Sequence, residues 1–210
     1  MTDPIEPQQL ILLGGGGHAL VVAEAAIASG WHITGFLDDS PDAAILPGLR
    51  RLGSIDDLEN YTHAARAIVA IGDVASRRLI LNAHGLPWAT VIHPTAWVSP
   101  SADVGDGVFI GAGVIVQGRS HIGNHAILNT GTIIEHDCEI GTNAHIAPRT
   151  ALAGGVRVGR DTLVGIGACA IPGVTIGKGC VIGAGSVVVH DVDDGQTVVG
   201  IPAKVLAEHE

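Results

Sequence analysis

The sequence predicts a three-sided solenoid of very short strands, preceded by a small α/β unit. Three observations carry this. Every sixth residue from Ile92 to Val188 is aliphatic, Ala170 being the smallest. Four places after each, the residue is small or β-branched, as at Ala126, Thr132, Cys138, Ala144 and Thr150. The place directly after the aliphatic one is Gly at 105, 111, 123, 141, 159, 165, 177 and 183. A period of six matches neither a helix nor a single alternating strand, so it is an architectural repeat. A short strand and a tight corner, three times per coil, would bury one aliphatic column on each face of a prism. Neighbouring coils spaced at roughly 4.8 Å give a prism about 25 Å long, with the glycines read as its corners.

A different grammar precedes the repeat. Leu10 to Leu13 is an apolar run that ends in four glycines, followed by His18 and an Ala-rich stretch to Ala28. It reads as strand, glycine turn and helix, with Gly30 as the helix stop. Ile33 to Leu37 is expected as a second strand and Ala67 to Ile71 as a third. A helix follows from about Ala75 to Asn82, and Trp88 to Ile92 is expected as a fourth strand. This βαβ-like order predicts a small parallel sheet with helices, a Rossmann-like domain over 1–90. The repeat domain follows over 91–190, with a C-terminal extension over 191–210. The glycine turn can be written Gly14-x-Gly16-x-x-Ala19, with Asp38 about twenty residues on, which nearly satisfies a dinucleotide fingerprint. Ninety residues are too few for two nucleotide-binding halves. The element fits a diphosphate with one nucleoside attached, held by backbone N–H groups and a helix N-terminus.

Composition narrows the function. A net charge of −10 argues against a nucleic-acid or anionic-membrane partner. Aromatic residues make up 3% of the chain, which suits a core of stacked Val, Ile and Ala. Cys138 and Cys180 fall in the small inward column and Cys169 lies off it. No disulfide framework or metal-type spacing emerges, which fits a reducing cytoplasm. The N-terminal residues lack a basic n-region, so neither a signal peptide nor a membrane span is expected. Arg160 and Lys178, 18 residues apart, should stack at one corner and form a strip of positive charge.

Taken together, Gly14–Ala19, Phe36-Leu37-Asp38-Asp39, the hexad repeat, and Asn129 through Glu135-His136-Asp137-Cys138 resemble a known family, and Gly200-Ile201-Pro202-Ala203-Lys204 looks like its closing motif. These are the bacterial hexapeptide-repeat acyltransferases that N-acetylate nucleotide-linked 4-amino sugars, together with their sialic acid O-acetyltransferase relatives. The resemblance implies a left-handed parallel β-helix that forms a homotrimer. It implies His136 as general base, with Asp137 orienting the ring and raising its basicity; some relatives carry Glu there. It implies acetyl-CoA as co-substrate, with His145 near the thioester and Gly154, Ile166 and Ala184 as main-chain contacts. The strip of positive charge would then meet the coenzyme's phosphates. At the acceptor end it implies Gly16, Gly17 and His18 on the diphosphate, Asp38 and Asp39 on ribose or base, and Asn129 as a polar neighbour. The expected reaction is acetyl transfer to the amine of a 4-amino-4,6-dideoxy sugar, with UDP ahead of GDP as the nucleotide.

Three alternatives stand beside it. An O-acetyltransferase acting on sialic acid needs no nucleotide diphosphate. A zinc hydratase on the same prism needs three converging histidines, and His121, His125, His136 and His145 lack that pattern; no metal is expected. A non-catalytic nucleotide-sugar-binding module would not need His136.

Overall fold

The computed structural model describes residues 8–61, 65–84 and 88–206. Its N-terminal part is a four-stranded parallel sheet built from β1 (Gln9–Leu13), β2 (His32–Leu37), β3 (Arg51–Gly53) and β4 (Arg66–Val69), in the order β3-β2-β1-β4. β1 alternates its side chains between two apolar layers. Leu10 and Leu12 join α1 (Gly17–Ala28) through Ala19, Val22, Ala23 and Ala26, while Ile11 and Leu13 join Leu58, Val69 and Trp88. A short 3₁₀ helix, Ile55–Asn60, begins with a capping box between Ser54 and Asp57. The helix α2 (Val74–Ala83) is capped by Asp73, whose carboxylate accepts from the Ser76 N–H.

Two features differ from expectation. β3 is too short to leave a periodic signal, yet it supplies the edge strand. Residues 88–92 do not form one strand of this sheet. Trp88 makes a single bridge to Ala67 and the Ala89 N–H donates to the Ala67 carbonyl. The chain then turns, and Val91–Ile92 pairs with Phe109–Ile110 as the first rung of the solenoid. The hexad period wins because its partner lies one coil on.

From there every hexad contributes a two-residue strand, and residues 18 apart pair in parallel: Ile122 with Ile140, Ile134 with Leu152, Ile146 with Val164. The three walls contain five, six and eight strands. In the eight-stranded wall, Thr197–Val199 adds a last parallel rung and Lys204–Val205 returns antiparallel on it. The architecture is the parallel hexapeptide β-helix after a small α/β domain, as expected.

The small inward column is more than a steric concession. Ser120, Thr132, Thr150 and Thr162 are buried, and each hydroxyl donates to a carbonyl 15 residues on, as Ser120 Oγ does to Glu135 at 2.7 Å and Thr162 Oγ1 to Gly177 at 2.7 Å. Cys138 and Cys180 use their thiols the same way, toward Ala153 and Asp193. These side chains satisfy corner carbonyls that the coil-to-coil ladder leaves free.

The α/β domain sits on the eight-stranded wall, where Phe109, Ile127 and Val91 enter the same apolar layer as α1. A polar latch reinforces this contact. Arg77 of α2 is 1% exposed. It donates to Asn143 Oδ1 at 2.8 Å, to the Asn143 carbonyl at 2.7 Å, and to the carbonyls of Ile71 and Gly72. Desolvation lowers its pKa to about 10, so the guanidinium stays charged at neutral pH.

Candidate active site

The solenoid turns its corners at the third residue after each aliphatic position. From Gly107 to Gly185 the backbone there is left-handed, with glycine at some corners and Arg119, His125, Asp137, Asn143, Arg149 and Asp161 at others. The glycines directly after the aliphatic residue, expected as corners, do a different job: they let adjacent coils approach. His136 and Asp137 occupy such a corner, between Ile133–Ile134 of the six-stranded wall and Glu139–Ile140 of the five-stranded wall.

Asp137 Oδ2 lies 2.7 Å from His136 Nδ1. A carboxylate accepts only, so Nδ1 carries the proton and Nε2 is left as a free acceptor. The ring lies against Gly154, one coil on: a Cβ on Gly154 would stand 2.7 Å from Cε1 and 2.9 Å from Nε2. Gly154 thus makes room for the imidazole, a role the sequence reading did not assign to it. The Asp137 carboxylate is also gripped by Arg119, whose Nε reaches Oδ1 at 2.6 Å and whose Nη2 reaches Oδ2 at 2.7 Å. Hydrogen bonds from Arg119 first and then His136 hold the Asp137 pKa down to about 2, so the carboxylate is ionised at neutral pH. Arg119 was not singled out in the sequence; the signal that finds it is its offset of 18 residues from Asp137.

A second cluster lies where the α/β domain meets the eight-stranded wall. Gly14 to His18, Asp38 and Ala70 to Gly72 line a cleft of about 330 Å³. It opens at the C-terminal end of β1, where neighbouring strands depart to either side, the usual place for a ligand in such a sheet. The N-cap of α1 is Gly16, which supplies no side-chain cap, and no acidic residue sits in the first turn. Gly14 and Gly15 are packed, since added Cβ atoms would fall 2.6 Å from Ile71 Cγ1 and 2.7 Å from the Ala43 side chain. Gly16 and Gly17 meet nothing within 4 Å, so packing does not require them to be glycine.

His18, His145 and Asn129 join this cleft to the solenoid. His145 Nδ1 donates to the Gly72 carbonyl at 2.9 Å and its Nε2 accepts from Asn129 Nδ2 at 3.3 Å. His18 lies edge-on to Phe109, and its Nε2 is buried without a hydrogen-bond partner among the described residues. Asp38 and Asp39 have local work. Asp38 Oδ2 accepts from the Gly15 N–H at 2.6 Å and Oδ1 from Ser40, while Asp39 Oδ1 accepts from the Ile55 N–H. Both carboxylates thereby hold the glycine turn and the 3₁₀ helix in shape.

Ile166 and Ala184 are exposed at the corner between the eight-stranded and six-stranded walls, one coil apart, joined through the Gly185 N–H and the Ile166 carbonyl at 2.8 Å. Arg160 and Lys178 stack at the remaining corner, where Lys178 pairs with Asp194 at 3.2 Å. One copy of the chain therefore brings Gly16, Gly17, His18, Asn129 and His145 together, and His136, Asp137 and Gly154 together. The two groups lie on different sides of the prism. Among the described residues, no group of three or more His, Cys, Asp or Glu side chains could hold a metal ion, and no helix is long and apolar enough to cross a membrane.

The His18 and His145 rings are kept neutral. Both pKa values fall from 6.5 to about 4, through desolvation first, with Arg77 adding repulsion in each and His145 adding it for His18. The unfolded chain protonates these rings near 6.5, so it binds more protons than the folded chain between there and 4. Stability is complete above pH 6.5, falls as pH drops toward 4, and is flat with respect to these groups below that. The full loss should be on the order of 3 kcal/mol for each ring. Thermal unfolding at pH 7 and pH 4.5 checks it. The His18→Gln, His145→Gln double variant should flatten the drop, and an equal drop in the variant would contradict it.

The fold and the histidine–aspartate corner together define a hexapeptide-repeat acyltransferase. Residues 9–83 match the family described as the PglD N-terminal domain, 119–154 the bacterial transferase hexapeptide family, and 155–189 the hexapeptide repeat of succinyl-transferase. Among solved structures, a histidine-to-asparagine variant of perosamine N-acetyltransferase from Caulobacter crescentus, in complex with CoA and GDP-perosamine, is 40% identical with a TM-score of 0.91, covering 95% of this chain and 97% of that one. The acetyltransferase domain of PglB from Neisseria gonorrhoeae is 38% identical with a TM-score of 0.89, covering 95% and 100%. WeeI from Acinetobacter baumannii, at 23% identity and a TM-score of 0.81, shares the fold. An uncharacterised mimivirus protein, L142, is 30% identical over 113 residues, 53% of this chain and 23% of the viral one, so the chain spans only about a quarter of that relative. The chain belongs to the nucleotide-sugar acetyltransferase family of hexapeptide-repeat acyltransferases.

Proposed function

We propose that this protein transfers the acetyl group of acetyl-CoA to the amine of a nucleotide-linked 4-amino-4,6-dideoxy sugar, with His136 as general base. The observation that carries the reading is the exposed His136–Asp137 corner, whose Nε2, unused in the contact with Asp137, lies over Gly154. Acetyl-CoA supplies an acetyl thioester as the electrophile. His136 Nε2 accepts a proton from the attacking amine, the new C–N bond forms, the C–S bond breaks, and the proton held on His136 is available to the departing thiolate. Asp137 holds the tautomer and stabilises the imidazolium.

Gly16, Gly17 and the start of α1 are assigned to the acceptor's diphosphate, because uncapped N–H groups beside unencumbered glycines suit an anion. His18, which lines the cleft, and the Asn129–His145 pair, tied to its Gly72 edge, are assigned to the sugar and the acetyl group. Ile166 and Ala184 offer backbone at an exposed corner to the pantetheine arm. Asp38 and Asp39 act by shaping the turn, within reach of a ribose or base.

The same reading makes the working unit a homotrimer. The outer face of the six-stranded wall is a ladder of Trp97, Ile115, Ile133, Ala151, Cys169 and Val187, with Trp97 58% and Ile133 37% exposed. The five-stranded wall carries Asp103, His121, Glu139 and Arg157 instead. An apolar sheet face of this kind needs cover. Packing three such faces around an axis would set the His136 corner of one copy beside the glycine cleft of the next, which joins the two groups that a single copy keeps apart.

The test is incubation of the purified protein with acetyl-CoA and a panel of UDP- and GDP-linked 4-amino sugars. Mass spectrometry should show a gain of one acetyl group on the amine. The family resemblance places UDP ahead of GDP, whereas a 40% identical relative was crystallised with GDP-perosamine, so both belong in the panel. Acetylation of a free sialic acid with no turnover of any nucleotide sugar would replace this reading with the O-acetyl one.

A further inference from the structure

Two side chains, His136 and Arg119, meet the Asp137 carboxylate, and the pairing of the base with its orienting acid accounts for only the first. Arg119 lies one coil before Asp137, and both residues are left-handed, with φ of 59° and 61°. The stacking follows from the hexad register, which sets equivalent corner residues 18 apart. The guanidinium meets the carboxylate through both oxygens, at 2.6 and 2.7 Å, and Oδ2 is the oxygen that also meets His136 Nδ1 at 2.7 Å. A surface ion pair alone would contribute little, since the Arg119 side chain is 70% exposed. A planar fork across both oxygens does something a loose pair does not: it fixes the rotation of the carboxylate.

We propose that Arg119 is a positioning residue for acetyl transfer, holding Asp137 in the orientation that aims the His136 ring and tempering the charge that the carboxylate presents to it. The proposal rests on the reading of His136 as the base. Asp is one methylene shorter than Glu, and it has to reach the ring of the residue directly before it. Left alone, an exposed carboxylate would rotate and hydrate, and the imidazole would lose its anchor. Charge matters as much as aim. An unshared carboxylate beside the ring favours the imidazolium, which cannot accept a proton; a guanidinium on the same carboxylate offsets that preference. Arg119 thereby offsets part of that pull while retaining the hydrogen bond that orients the ring.

Charge and geometry can be separated. Arg119→Gln, Arg119→Lys, Asp137→Asn and His136→Asn should be compared for kcat, for both KM values, and for kcat/KM against pH. Arg119→Gln is expected to lower kcat by about tenfold or more through misaim of the ring, with both KM values little changed. Its acid limb should move to higher pH, because the freed carboxylate now stabilises the imidazolium. Asp137→Asn should move that limb the opposite way. Arg119→Lys should return the limb toward its original place, because the charge is restored, while recovering kcat only in part, because the fork is not. An exposed side chain should leave the unfolding temperature close to that of the parent.

A wild-type kcat and an unmoved acid limb in Arg119→Gln would overturn the proposal, as would a rise in either KM with kcat intact, which would make Arg119 a substrate contact. If His136→Asn keeps the parental rate, the base assignment itself fails. If His136→Asn is inactive and Arg119→Gln is normal, only the role of Arg119 fails.

Discussion

Replacing His136 with Ala should lower kcat by about 10²–10⁴-fold, the usual worth of a general base, while the solenoid remains intact. The side chain is 60% exposed and contributes nothing to the buried columns, so no loss of folding is expected. The variant would keep Gly154, Ile166, Ala184 and the glycine cleft. Binding of both substrates should therefore survive, with the deficit confined to kcat and to the pH dependence. Stopped turnover with unchanged thermal unfolding and unchanged CoA binding by calorimetry is the expected pattern. Full activity would instead remove His136 from the role of base.

The second large effect is structural. Gly141→Ala should destabilise the protein by about 3 kcal/mol, although Gly141 has no left-handed backbone to defend. A Cβ there would run into the Arg160 amide nitrogen and stand 2.6 Å from the Gly159 carbonyl carbon, both backbone of the next coil. Backbone locked in a ladder cannot yield as a side-chain tip can. Gly113→Ala is the informative control. Gly113 has φ of 67°, yet nothing lies within 4 Å of an added Cβ. It should cost only the left-handed preference, roughly 1–2 kcal/mol. Chemical denaturation midpoints of the two variants check the ordering, and a larger loss for Gly113→Ala would contradict it.

That contrast marks where the sequence was legible. Period six announced the solenoid and its 18-residue register, because a translational repeat writes each contact again and again along the chain. It did not say which of the six places turns the corner. Glycine recurs at two of them for unrelated reasons, close approach at Gly141 and backbone handedness at Gly113. In the α/β domain, β1 and α1 were legible because alternation and an Ala-rich run are local signals. β3 was not, because three residues carry no period, and Trp88 to Ile92 was assigned to one sheet while its hydrogen bonds divide between two.

The site divided along the same line. His136 and Asp137 are adjacent in the chain, so their pairing could be read there. Arg119 on Asp137 and Arg77 on Asn143 join residues that are 18 and 66 apart. Neither contact has a local signature, although the first follows once the coil length is known. Asp38 fitted the spacing of a ribose ligand, but at the end of β2, paired beside β1, its carboxylate also reaches the glycine turn, and here it accepts from the Gly15 N–H.

The left-handed corners that accept Asp, Asn, His and Arg as well as Gly have an evolutionary corollary. Adding or deleting one block of eighteen residues would slide everything beyond it by one rung, roughly 4.8 Å, without altering the heading of any side chain. A lineage could thus lengthen or shorten the reach between its reactive ring and its acceptor in fixed steps, fitting bulkier or slimmer sugars while the hydrophobic stack stays as it was.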